Sequence, residues 1–267
     1  MDANKIMKIF EETAYVRMGG SDEELKTARY IQKQVEQLGM EAKIEAFPVD
    51  MATMEKAVLL MDGEEIPCKG YLNAGSWEVE APFYYLRSTD PYSLSLCKGK
   101  IVMIDGYLRY WTYQDILENG AVGFITYDGN ANYADFDIDQ RELRAAVHKG
   151  SKLPGVNINA KDAIRLINKG VKTARILLKQ EEYQGNSHNV VLDMPGQIPE
   201  YIALTAHYDS TSLSRALTTI CPAPWVCWAS RNILLTIPIA TVCASSGAAA
   251  RNGDCWVPRH TATRKRI

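Results

Sequence analysis

The chain has 267 residues, 46% of them hydrophobic, and a formal net charge of −2. That length and apolar content allow a sizeable buried core and exclude a disordered tail protein, and the near-neutral balance argues against a nucleic-acid-binding surface. The charge is unevenly spread: from Arg215 onward seven basic residues face one acid, Asp254, giving this stretch +6 and the first 214 residues −8.

The opening stretch, MDANKIMKIFEE, scatters charges among its apolar residues and has no continuous apolar run, so no secretory signal is visible. The expected compartment is cytoplasmic, where disulfides do not form readily. Ser21 to Leu38 predicts a helix. Ser21 caps it, Glu24 completes a capping box, Leu25, Ala28, Ile31, Val35 and Leu38 recur at helical spacing, and Gly39 stops it. EAKIEAFPV then alternates as a strand.

From about Met51 to Gln180 short strands and brief helices alternate. KGKIVMID predicts a buried strand after a Lys-Gly turn. DILENGAVGFITYDG pairs a short helix, ended by Gly120, with another buried strand. LPGVNINAKDAIRLINKG repeats the arrangement with Asn159 as N-cap and Gly170 as stop, and KTARILLKQ reads as a strand. No catalytic side chains stand out here, which marks the region as an inserted accessory subdomain. SHNVVLDMPG and EYIALTAHYDST then resume a larger sheet.

That last strand delivers His207 and Asp209 to its carboxyl end, where open α/β sheets bind ligands. Residues two apart on a strand share a face. An imidazole and a carboxylate so placed form either a metal ligand with its orienting partner or an ordinary polar loop pair, and spacing alone leaves both open. Glu181 and Glu182 read as a solvated strand end, and His148 and His188 as solvent-facing or hydrogen-bonded structural residues. The tyrosines of FYYLRSTDPYSL and GYLRYWTYQD read as packing.

The string NVVLDMPGQIPEYIALTAHYDS resembles the strand pair that opens the catalytic core of the M28 family of zinc aminopeptidases, with its Asn-Val strand, Pro-Gly turn and His-x-Asp-Ser end. Gly19 to Val49 resembles that family's N-terminal helix and strand, and Met51 to Gln180 looks like the protease-associated (PA) domain inserted in several members. The resemblance covers residues 1 to 214. It implies an α/β fold comprising a partial zinc-peptidase sheet core, an inserted β-rich PA-like subdomain and an irregular C-terminal tail. The division it implies is 1–50, 51–182, 183–214 and 215–267. It further implies a peptide substrate cleaved at its N-terminal bond by water activated between two zinc ions, with His207 as a metal ligand and Asp209 as its catalytic partner. The family's Asp-Asn and Glu-Glu motifs and its later Asp and His ligands have no counterpart at matching positions, so this chain is expected to hold no stoichiometric zinc. Loss of the rest of the core is expected to leave the strands near Val190 and Ile202 with an uncovered face or edge. The rival reading is a non-catalytic module whose PA-like region binds peptide or protein.

Past Ser214 the composition changes abruptly: four of the six cysteines and three of the five tryptophans fall there, and glutamate is absent. Codon arithmetic supplies a reason. Read from the third base of each codon, Trp225 to Ala229 force Gly-x-Leu-Gly with x Val, Leu or Met, and Asp254 to Val257 force Leu-Leu-Gly. Both segments fall where the family's missing motifs belong. The tail, 215–267, is therefore expected to be a truncated, out-of-frame translation caused by a frameshift near Ser214 or Arg215. A membrane span over Asn232–Ala250, nineteen residues without charge, and a zinc site from the tail cysteines explain less of the shift.

Overall fold

Helix ends and buried strands settle where local chemistry asks for them in this computed structural model, which describes residues 3–37, 39–129, 137–193, 203–213 and 241–245. The chain divides into two compact units, one made of Met1–Val49 with Gln184–Ile267 and the other of Asp50–Tyr183.

The first unit opens with helix α1 (Ala3–Thr13) and helix α2 (Asp22–Glu36). Ser21 Oγ accepts the Glu24 N–H at 3.2 Å, so the cap forms, and three acids occupy the first turn, where the helix dipole favours them. At the far end Gly39 takes φ +76°, a left-handed conformation that glycine adopts without a Cβ penalty, and its N–H bonds the Glu36 carbonyl at 2.9 Å. Between these ends Ala28, Ile31 and Val35 are buried against Ala42, Val190, Leu192 and Tyr208. Each large aliphatic so buried contributes roughly 1.5–3 kcal/mol. The strands of this unit are β9 (Ala203–His207), β10 (Thr241–Ser245) and the last part of β8 (Thr173–Asp193). β10 lies between the other two, antiparallel to Asn189–Asp193 and parallel to β9.

In the second unit β4 (Trp77–Leu86), β5 (Ile101–Ile104), β6 (Gly123–Asp128) and β7 (Gly155–Asn159) run parallel and side by side. β3 (Cys68–Gly70) adds to β7 and β8 to β4, both antiparallel. β1 (Lys43–Met61) and β2 (Glu64–Ile66) form a hairpin whose two-residue Asp62-Gly63 turn has φ +48° and +83°, the primed geometry that matches strand twist. Helices α3 (Pro91–Ser95), α4 (Tyr110–Glu118), α5 (Ala145–His148) and α6 (Ala160–Lys169) connect these strands. Every residue of β5 is buried, as periodicity-free apolar strands of parallel sheets are, and the core gathers Val102, Phe124, Ile125, Val156, Ile158 and Leu166.

The mixed α/β class is as expected from the sequence; several elements differ. EAKIEAFPV runs on past Val49 into the 19-residue β1, while KTARILLKQ and SHNVVLDMPG fall in one 21-residue strand, β8. The polar stretch between the last two, where Glu181 and Glu182 read as a solvated strand end, continues in extended backbone. α1 is also unforeseen: the charges that break up an apolar run there are the polar face of an amphipathic helix. The irregular tail differs at one place, since Thr241–Ser245 forms β10 and occupies the edge expected to be bare beside Val190. A short run of β-branched and small residues suffices for this, because strand pairing uses backbone groups. Thr241–Ser245 also lies inside the segment weighed as a bilayer span. Among the described residues no helix is long and apolar enough to cross a membrane. The remainder of 215–267, with Cys221, Cys227 and Cys255, lies outside the described residues.

Candidate functional site

β9 alternates its faces as any strand does, and its end decides what happens next. Tyr208, immediately after it, is 1% exposed and packs with Ala28, Ile31 and Val190 on the α2 side. His207 and Asp209, its neighbours on either side, accordingly leave that core. His207 Nδ1 stands 2.9 Å from Asp209 Oδ1; the imidazole is 36% exposed and the carboxylate 5%. A carboxylate on Nδ1 holds the proton there and leaves the Nε2 lone pair free, the tautomer a metal-ligating or proton-accepting histidine needs.

The turn that carries the pair is fixed from the N-terminal segment. Arg17, 0% exposed, donates Nε to the Tyr208 carbonyl and Nη1 to the carbonyls of Thr13 and Tyr15, at 2.8 and 3.0 Å. Its backbone exchanges two bonds with Ser210: Arg17 N–H to Ser210 Oγ at 2.8 Å, and Ser210 N–H to the Arg17 carbonyl at 2.9 Å. A buried guanidinium with its donors engaged by backbone carbonyls avoids the penalty of an unsatisfied charge-bearing donor.

Below the turn, the Tyr208 hydroxyl meets Glu24 Oε1 and lies 2.8 Å from the His188 carbonyl, while Glu24 Oε2 is 2.9 Å from His188 Nδ1. Burial raises the Glu24 carboxyl above its ordinary value, and the hydrogen bonds with His188 and Tyr208 offset part of that. Burial, reinforced by Glu24, likewise pushes the Tyr208 phenol well up, so it stays protonated. Here the capping-box reading needs correction. Ser21 N–H bonds the Met18 carbonyl instead, and the Glu24 side chain turns inward to Tyr208 and His188. His188 is a hydrogen-bonded structural residue. Arg17 escaped sequence reading because YVRMGG offers no periodicity and no motif; its role exists only through residues some 190 positions away.

A zinc ion needs three or four ligands, and the only one assigned here is His207, with Asp209 behind it. Among the described residues no three His, Cys, Asp or Glu side chains gather closely enough to hold a metal ion. The described donor set therefore does not fit a catalytic zinc centre. Glu182, read as solvated, pairs with Lys152 at 2.7 Å and accepts the Gly75 N–H at 2.8 Å, so it serves the second unit's structure.

With this geometry in view, the fold is seen to be shared with solved α/β zinc aminopeptidases. The chain superposes on an aminopeptidase from Aneurinibacillus sp. strain AM-1 with a TM-score of 0.67 and 20% identity, covering 94% of this chain and 64% of that one. A zinc aminopeptidase from Bacillus subtilis gives 0.66 and 21%, over 91% and 61%, and an M28 peptidase precursor from Shewanella amazonensis gives 0.60 and 17%, over 91% and 62%. The chain thus spans less than two thirds of the length of these structures. No family model matches the sequence, and no curated protein matches it.

Proposed function

We propose that this chain carries the opening part of an M28-type zinc aminopeptidase, residues 1–50 and 183–214, interrupted by a PA-like insertion over 51–182 and followed by an out-of-frame tail from about 215. The observation that carries this reading is the His207–Asp209 pair, bonded at 2.9 Å at the carboxyl end of β9 in a fold shared with zinc aminopeptidases. The compact unit Asp50–Tyr183 supports the insertion. Asn189 supports the altered frame. Its Oδ1 is buried and has no hydrogen-bond partner among the described residues, and Asn189 is paired in register with Ser245 of the tail. Buried amides are ordinarily satisfied, and an orphan beside a strand written in another frame is the lesion such a strand would leave.

In this reading peptides are the substrate class, the compartment is cytoplasmic, and the parent enzyme's water is activated by zinc with carboxylate assistance. His207 supplies one ligand through Nε2, and Asp209 orients it. With one ligand in place the 267-residue product is inactive. Purified chain is expected to hydrolyse no aminoacyl-anilide and to carry no stoichiometric zinc by metal analysis. Chelator-sensitive hydrolysis would refute this. Sequencing the encoding DNA across codons 205 to 235 tests the frame directly, and an encoded Thr218–Ile220 that cannot be re-read as Asp-Asn rules it out.

A further inference from the structure

We propose that Arg17 is the positioning residue for the His207–Asp209 pair, because it holds both of the peptide groups that flank Asp209. The inference rests on reading that pair as the functional one. Each residue is joined to its neighbours by two planar peptide groups, and the orientation of those planes sets its φ and ψ. The group before Asp209 carries the Tyr208 carbonyl, which accepts from Arg17 Nε. The group after it carries the Ser210 N–H, which donates to the Arg17 carbonyl at 2.9 Å, and Ser210 Oγ accepts the Arg17 N–H at 2.8 Å. With both planes tied to one residue, the Cα–Cβ bond of Asp209 has a fixed direction, and Oδ1 comes to stand 2.9 Å from His207 Nδ1.

Arg17 is itself anchored. It is fully buried, and its Nη1 donates to the carbonyls of Thr13 and Tyr15 at 2.8 and 3.0 Å. Thr13 is the last residue of α1, and the final carbonyls of a helix lack partners within it and attract a cation. A guanidinium can serve three carbonyls on two segments because its donors fan out in one plane; a lysine keeps the charge but has a methylene where arginine has Nε.

The two members of the pair need different supports. His207 is the last residue of β9 and stands in register with Ser245 of β10, so the sheet places its backbone. Asp209 lies beyond the strand, and the bonds to Arg17 take over where the ladder stops. Tyr208 between them is held by its ring, with the hydroxyl at Glu24 and the His188 carbonyl. Were the Arg17 bonds lost, the carboxylate would no longer be kept at Nδ1, and both tautomers of the imidazole would be populated. The Nε2 lone pair, which a metal ion or an incoming proton would use, would then be present only part of the time.

The test uses the full chain and compares Arg17→Lys, Ser210→Ala and Val35→Ala by thermal melting and by the ring nitrogen resonances of His207 at one fixed pH where the ring is neutral. R17K keeps the charge and loses the bond to the Tyr208 carbonyl, and S210A loses the bond from the Arg17 N–H. V35A opens the same core about three turns along α2 from Glu24, away from the turn, and serves as the purely structural control. The unsubstituted chain is expected to show an Nδ1-protonated ring. R17K and S210A are expected to move its signals toward a mixture of tautomers, whereas V35A is expected to lower the melting temperature and leave them in place. The proposal is overturned if the signals stay put in R17K, if V35A moves them as far as R17K at an equal loss of melting temperature, or if the unsubstituted ring is already a mixture. Should R17K fail to fold, S210A deletes a single hydroxyl, and unmoved His207 signals in S210A likewise overturn the proposal. Neither readout involves zinc or hydrolysis, so the aminopeptidase reading and this one fail separately.

Discussion

Glu24 shows how one side chain changes role with its surroundings. On sequence it stands three residues past a helix cap; in the structure its carboxyl is buried and bonded to His188 and Tyr208. Its raised pKa carries a signed consequence. A carboxyl whose folded pKa lies above its unfolded value stabilises the fold fully below the unfolded value, here 4.5, and loses that contribution as pH rises through the folded value. The unit containing α2 is expected to lose stability as pH climbs past the ordinary glutamate range, and E24Q should flatten that slope in urea midpoints followed across pH. Asp90 has the opposite sign. Hydrogen bonds from Ser93 hold its carboxyl down at about 2, so whatever this exposed cap contributes is present above 3.8 and fades as pH falls toward 2. Asp90 belongs to the other unit, which lets the two trends be assigned separately.

Elements were legible in proportion to how local their determinants are. α6 begins where Asn159 Oδ1 accepts the Lys161 N–H at 2.9 Å and ends at Gly170 with φ +69°, both readable from side-chain chemistry within two residues. Asn159→Ala is expected to cost about 1 kcal/mol in denaturant unfolding, the usual loss of a cap. Strand lengths were not legible, because an extended polar segment such as the middle of β8 carries no period of its own and is held by its neighbours. Gly155 shows the same limit at closer range. Nothing in PGVNIN announces that a Cβ there would stand 2.0 Å from the Phe124 ring. Gly155→Ala is expected to destabilise the Asp50–Tyr183 unit by ~3 kcal/mol, read as a lowered urea midpoint, since the buried ring has no room to move.

At the scale of the molecule, the chain's passages from one unit to the other, Val49 to Asp50 and Tyr183 to Gln184, fall inside β1 and β8. The Asp50–Tyr183 unit has its own continuous core, from Leu59 and Phe124 to Ile176. Limited proteolysis is therefore expected to leave a resistant fragment close to those bounds; uniform digestion would contradict this. By itself the sequence determined the α/β class, the ends of α2 and α6, the buried strands and the adjacency of His207 and Asp209, because each depends on periodicity, capping or spacing over a few residues. Only the tertiary structure decided that Arg17, Glu24 and His188 converge on Tyr208 and that β10 enters between β8 and β9. Such contacts join residues far apart in the chain, and their energy comes from burial and hydrogen-bond completion, which no local pattern records.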